Sequence, residues 1–309
     1  MPPPTVIACM LTRDDLARLR EKCIVYVRPM MVPVAGEHIK NALAIVTTPY
    51  DRVNSEFLHR AQNLELVAQF GAGTDNINLK AARAHGVMVT HTPKVTATST
   101  AELTMALILS LTRRLPEAGH ALGRGPEAMP LGVGLAGKKL GIIGLGHIGY
   151  AVARRAHAFG MKIFYHNRKP ANPTIERETT ATLCSLEELL TISDVVTLHC
   201  DLNPDSHQLV DAKALALMKS TAILINTARA GVVDEVALAR AITSGQIGGA
   251  GLDVFSPNVL DTLRNHPRVV LTPHSGTATT ETRIAMSNMV VESILSFLNE
   301  DVKVPNRKI

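Results

Sequence analysis

The chain predicts an α/β fold of two doubly wound parallel sheets, and three features of its 309 residues carry that prediction. Short apolar runs alternate with helix-period segments along nearly the whole length, as they do where parallel strands need crossover helices. One run ends in a glycine-rich turn that opens directly into a helix. A last long helix pattern follows the last strand pattern, so the chain can return to its first half and leave that half discontinuous.

In order, residues 6–10, 24–27, 44–47, 64–68 and 87–89 read as five short strands with helices between them, a doubly wound domain of their own. Ser99-Thr100-Ala101-Glu102 has capping-box spacing and is expected to open an apolar helix over 103–111 that carries the chain onward. Residues 139–149, KLGIIGLGHIG, form an apolar strand and turn, and 150–156, YAVARRA, continue as an amphipathic helix. Strands over 161–165, 194–198, 222–226, 251–254 and 269–272 complete a second sheet, and the final helix runs over roughly 278–298.

The glycine turn points to a dinucleotide. Gly144 permits the tight turn, Gly146 lets the backbone approach a pyrophosphate, and Gly149 lets helix and strand pack closely, while amides at the helix start, at His147 and Ile148, attract phosphate charge. The next strand ends in His166-Asn167-Arg168-Lys169, at the distance where the adenosine ribose is read. An NAD site places an acid there for the two ribose hydroxyls, and none is present. Asn167 can hydrogen-bond a 2′-phosphate and Arg168, with Lys169 beside it, can hold one by a charge-assisted pair. NADP is therefore the expected cofactor and NAD the alternative. The domains follow: a Rossmann NAD(P)-binding domain over 97–277, inserted into a flavodoxin-like substrate domain formed by 1–96 and 278–309.

Composition narrows the remaining classes. With 46% hydrophobic and 19% charged residues the chain can build two substantial cores, and no stretch reaches membrane-span length. The N-terminus lacks a basic segment followed by an apolar one, so the cytoplasm is the expected location. Cys9, Cys23, Cys184 and Cys200 fall singly in or beside apolar segments, without metal-ligand spacing, and read as buried thiols rather than a metal site. A scattered net charge of +5, 3% aromatics and no Trp argue against nucleic-acid binding and suit a mild attraction for anionic substrates and cofactor.

Three polar residues fall at or near carboxyl ends of predicted strands, where open parallel sheets place ligands: Arg229, Asp253 and His274. Phe70-Gly71-Ala72-Gly73-Thr74-Asp75-Asn76-Ile77, Asn226-Thr227-Ala228-Arg229-Ala230-Gly231, Gly251-Leu252-Asp253-Val254-Phe255 and Thr272-Pro273-His274-Ser275-Gly276 closely resemble, in the same order, segments of the D-2-hydroxyacid dehydrogenase family. The resemblance implies interconversion of a small 2-oxo acid and its D-2-hydroxy acid, with glyoxylate and hydroxypyruvate the leading substrates. Arg229 would clamp the carboxylate and polarise the oxo group, its planar fork offering two parallel donors. His274 would be the acid–base, with a pKa near working pH. Amides of Ala72 and Gly73 would take the substrate carboxylate. Asp253 would hold the nicotinamide carboxamide, and Thr227, Ala228, Cys200, His147, Ile148 and Gly276 would complete the cofactor site. A homodimer joined through the cofactor domain is also implied, and the apolar 103–111 segment agrees with it.

One departure stands out. The family carries an acid after the segment matching Asp253-Val254-Phe255 that orients the His and raises its pKa, whereas this chain reads Ser256-Pro257-Asn258-Val259. Ser256 or Asn258, depending on alignment, takes its place, and neither carries charge. Losing that anion should favour neutral His274 by about one pKa unit, making reduction fastest at lower pH. A non-acidic partner also suits formate dehydrogenase-like one-carbon oxidation, and a non-catalytic NAD(H)-sensing protein of the corepressor type is a further alternative.

Overall fold

Two all-parallel sheets carry the chain. The computed structural model describes residues 3–33, 36–121, 125, 130–300 and 303–309, and falls into two units, Met1–Thr96 with Ala278–Ile309, and Ala97–Thr277.

In the first unit, β1 (Thr5–Ala8), β2 (Ile24–Val27), β3 (Ala44–Thr47), β4 (Leu66–Gln69) and β5 (Met88–Thr90) lie in the order β2-β1-β3-β4-β5. Every pairing is parallel. The central strands β3 and β4 are buried at every position, whereas edge strand β2 leaves Ile24 and Val27 exposed. That contrast is what covering both faces of a parallel sheet demands. Strand alternation splits the core: Val6 and Ala8 face one layer and Ile7 the other. Helices α1 (Arg13–Arg20), α3 (Ser55–Arg60) and α4 (Leu79–Ala84) start at Thr12, Asn54 and Asn78, whose side chains accept the amides of Asp15, Phe57 and Ala81; α2 is Gly36–Asn41. The long returning helix, here numbered α13 (Thr280–Leu298), buries Met286, Val290, Val291 and Ile294 against the β1, β3 and β4 layer. Each such side chain contributes about 1.5–3 kcal/mol, enough to fix the return of the chain.

The second unit opens with α5 (Ala97–Thr112) and α6 (Leu115–Ala121). Its strands are β6 (Lys139–Ile143), β7 (Lys162–His166), β8 (Thr182–Leu183), β9 (Val195–Leu198), β10 (Ile223–Asn226), β11 (Gly249–Leu252) and β12 (Val269–Leu271). They are ordered β12-β11-β10-β9-β6-β7-β8. Strand order reverses between β6 and β9, which is the topological switch point where such sheets bind ligands. Helices α7 (His147–Ala158), α8 (Pro173–Thr179), α9 (Leu186–Ile192), α10 (Ala212–Leu217), α11 (Glu235–Thr243) and α12 (Pro257–Leu263) connect the strands.

Several expectations are corrected. Ser99 and Thr100 are buried inside α5, which begins at Ala97, so they do not cap it, and Glu102 pairs with Arg155 on α7 at 3.1 Å. Strand β11 starts two residues earlier than expected and ends at Leu252, placing Asp253 just past it. The two-residue edge strand β8 carries too short a pattern to be read from sequence. Ala101, Met105, Leu107 and Ile108 of α5 pack into the core of their own unit, which accounts for much of the apolar run that was read as a contact surface. Among the described residues, no helix is long and apolar enough to cross a membrane, and no cluster of His, Cys, Asp and Glu could hold a metal ion.

Candidate active site

The glycine turn lies at the switch point of the second unit. Gly144 adopts φ +98, and a Cβ there would stand 2.6 Å from the amide nitrogen of Cys200, at the end of β9. A Cβ on Gly149 would stand 2.3 Å from the Gly144 carbonyl, so α7 can press on the turn only without one. A Cβ on Gly146 would meet nothing within 4 Å. Gly146 is therefore the glycine not required by the fold, and the open space above it fits a phosphate approaching the start of α7. No side chain caps that helix start, so the amides around His147 and Ile148 remain for an anion.

Asn167 closes the turn from β7: its Oδ1 accepts from the Leu145 amide at 2.7 Å, a bond that fixes the amide group and does not use its Nδ2 donors. Next to it, Arg168 reaches Asp205 at 3.5 Å with both side chains 77% exposed, a pairing weak enough to yield to a phosphate. Lys169 is exposed beside it. Burial raises the pKa of Cys200 above the ordinary thiol range, which keeps it a neutral lining group.

Across the sheet, the Asn226 side chain ties the β10 turn: Oδ1 accepts from the Ala228 amide at 3.0 Å and Nδ2 donates to the Arg229 carbonyl at 2.9 Å. Arg229 begins a short 3-10 turn, Ala230–Val232, with its own Nη1 donating to the Ala228 carbonyl at 2.8 Å. Thr227 Oγ1 lies 3.1 Å from Thr104 Oγ1 and 3.4 Å from His199 Nδ1. Thr104 donates to the Thr100 carbonyl, and Thr100 to that of Gly276, so one chain of hydrogen bonds joins β9, β10, α5 and the loop after β12. Sequence reading missed His199, which continues an apolar strand pattern, and Thr104, which lies inside an apolar helix pattern, because both looked like core.

Asp253 has a task that sequence reading did not foresee. It is 2% exposed; Oδ1 accepts from Thr272 Oγ1, Ser275 N and Ser275 Oγ at 2.6, 2.7 and 3.2 Å, and Oδ2 from Gly276 N at 2.9 Å. Four donors match the acceptor capacity of a carboxylate, so its first work is to fold the Thr272–Gly276 loop. That loop holds His274 at φ +54, a strained backbone for a side chain with a Cβ, secured by its amide donating to the Asp253 and Thr272 carbonyls at 2.9 and 3.0 Å. Ser256 precedes α12, and its amide donates to both carboxylate oxygens of Glu235 at 3.0 and 3.2 Å. Asn258 is exposed in the first turn of that helix. Glu235, at the start of α11, escaped sequence reading because an acid in a first helical turn is read as serving the macrodipole.

In the first unit, the loop after β4 has its carbonyls tied down. Gly71 O accepts from Thr92 N at 3.0 Å, Ala72 O from His91 Nδ1 at 2.8 Å, and Gly73 O from Gln69 Nε2 at 3.2 Å. A trans peptide points its N–H opposite the preceding C=O, so the Ala72 and Gly73 amides face away from those partners, as an anion site requires. Fully buried Gln69 also bonds Thr47 and Asn76, and Asn76 bonds the Thr48 and Asp51 carbonyls.

Comparison with known proteins follows the same lines. Residues 105–276 match the model of the D-isomer specific 2-hydroxyacid dehydrogenase NAD binding domain. The chain is 41% identical over 277 residues to a glyoxylate reductase of Thermococcus litoralis, covering 86% of this chain and 83% of that one. A solved glyoxylate reductase from Paecilomyes thermophila superposes with a TM-score of 0.89 at 31% identity, over 100% of this chain and 99% of that one. An NADPH-dependent glyoxylate/hydroxypyruvate reductase from Sinorhizobium meliloti, in complex with NADP and malonate, does so at 0.87 and 30%, over 99% and 97%.

Proposed function

The chain belongs to the D-isomer specific 2-hydroxyacid dehydrogenases as an NAD(P)-dependent enzyme acting on 2-oxo acids, and we propose that it reduces glyoxylate- and hydroxypyruvate-like acids with NADPH. The observation that carries the cofactor choice is Asn167. With Oδ1 held by the Leu145 amide, it offers donors where an NAD site would offer a carboxylate, and Arg168 adds a cation next to them. The likeness to an NADPH-dependent reductase supports the same choice.

The reduced nicotinamide, when bound, supplies the hydride for the oxo carbon. The protein's part is to orient and to move a proton. Ala72 and Gly73 amides and the Arg229 guanidinium take the carboxylate, and Arg229 polarises the oxo group. His274 gives its proton to the oxo oxygen and takes one in the reverse direction. Asp253 holds the His274 loop in shape; Gly144, Gly146, Gly149, His147 and Ile148 form the phosphate turn; and Cys200, Thr227, Ala228 and Gly276 line the cofactor. Ser256 or Asn258 stands uncharged where relatives in the family carry an acid. The reductase relatives favour this reading over formate oxidation and over a non-catalytic sensor.

The test is kcat/KM for NADPH and NADH with glyoxylate and hydroxypyruvate. NADPH should be preferred, and Arg168→Ala should weaken NADPH by roughly tenfold, the worth of one charge-assisted bond, with little effect on NADH. A tenfold NADH preference in the wild type rejects the cofactor assignment.

A further inference from the structure

Arg283 is a cation set against its surroundings. It lies in the first turn of α13, the end of a helix that favours negative charge. Burial lowers its pKa below the usual guanidinium range, so its charge is partly stripped of water. Its Cζ lies 5.6 Å from the centre of the Phe70 ring, and Phe70 is 2% exposed and immediately precedes the Gly71–Gly73 loop. Among the described residues, the ion pairs of this unit are Arg18 with Asp15 and Glu292, and Arg28 with Asp51. None of these carboxylates serves Arg283. A cation–π contact returns only about 0.5–2 kcal/mol and neutralises nothing, so the arrangement lacks an anion.

Charge counting identifies that anion. On the function proposed above, on which this inference rests, the carboxylate of a 2-oxo acid has its own donors in the Ala72 and Gly73 amides. A monocarboxylate leaves Arg283 unmatched. We propose that Arg283, held on the Phe70 ring beside the Gly71–Gly73 loop, is a specificity-determining residue that takes a second anionic group, so that 2-oxo dicarboxylates are substrates. Tyr50, of the same unit, lies close enough to interact electrostatically with Arg283 and is 46% exposed. Its phenol is a hydrogen-bond donor suited to the same group.

The experiment compares oxaloacetate with hydroxypyruvate in the wild type, Arg283→Lys and Arg283→Met, with thermal midpoints as a check on folding. The ratio of kcat/KM for oxaloacetate to that for hydroxypyruvate should fall roughly tenfold or more in Arg283→Met, mainly through KM, and partly recover in Arg283→Lys. A wild type that reduces hydroxypyruvate but not oxaloacetate overturns the inference, as does a ratio unmoved by either substitution. A wild type that reduces neither defeats the function on which the inference rests. The inference is then decided by calorimetric titration with tartronate and glycolate in the presence of NADP. A tartronate preference lost in Arg283→Met upholds it, and no such preference overturns it.

Discussion

His274 is held in left-handed backbone by the loop that Asp253 folds, and its protonation depends on the group that faces its imidazole. An acid at that place would stabilise the imidazolium; Ser256 and Asn258 cannot. Because reduction needs the protonated ring, Ser256→Glu or Asn258→Glu should extend fast reduction to higher pH. Pre-steady-state or kcat profiles over pH 6–9 in wild type and both variants test this, and an alkaline limb that neither variant moves rejects it. His199 titrates with the opposite consequence. Burial pushes its pKa down to about 3, so the folded chain refuses a proton that the unfolded chain accepts below about 6.5. Stability from this group is complete above that value and falls as pH drops toward 3, by at most about 1.4 kcal/mol per unit. Urea midpoints between pH 7 and 5 should fall less steeply in His199→Gln; parallel slopes would rule the effect out.

At the scale of an element, the glycine turn separates glycines needed by the fold from the one kept for a ligand. Gly149→Ala puts a methyl against the Gly144 carbonyl, a backbone atom that cannot swing aside, and should destabilise by about 1–3 kcal/mol. Gly146→Ala meets no atom within 4 Å, so stability should change by less than about 0.5 kcal/mol while cofactor affinity falls. Thermal midpoints together with NADPH fluorescence titration distinguish the two. Equal loss of stability in both variants would show that Gly146 is structural. Strand and turn were legible here because the signal is local: an apolar run, a required positive φ and a helix period within 18 residues of one another. The start of α5 was not legible, since Ser99 and Thr100 have cap chemistry, yet the helix begins at Ala97 and buries both in its first turn.

For the whole molecule, we expect a homodimer joined through the second unit, on family resemblance more than on α5, whose apolar residues are largely taken up inside the unit. Light scattering at micromolar concentration should return about twice 33.2 kDa, and a mass near one chain would exclude a stable dimer. The α/β class, the phosphate turn and Arg229, Asp253 and His274 as candidates all follow from the sequence alone, because strand period, glycine spacing and residues just past strand ends are written along the chain. Tertiary structure decided what sequence spacing could not encode. It brought Asp253 onto the backbone of the Ser275–Gly276 loop and Asn167 onto the Leu145 amide, each more than 20 residues away in sequence, and left Arg283 on an aromatic ring without a carboxylate. Hydrogen-bond partners and the dehydration of a charge depend on what other strands and helices bring alongside, and that is fixed only when the sheets assemble.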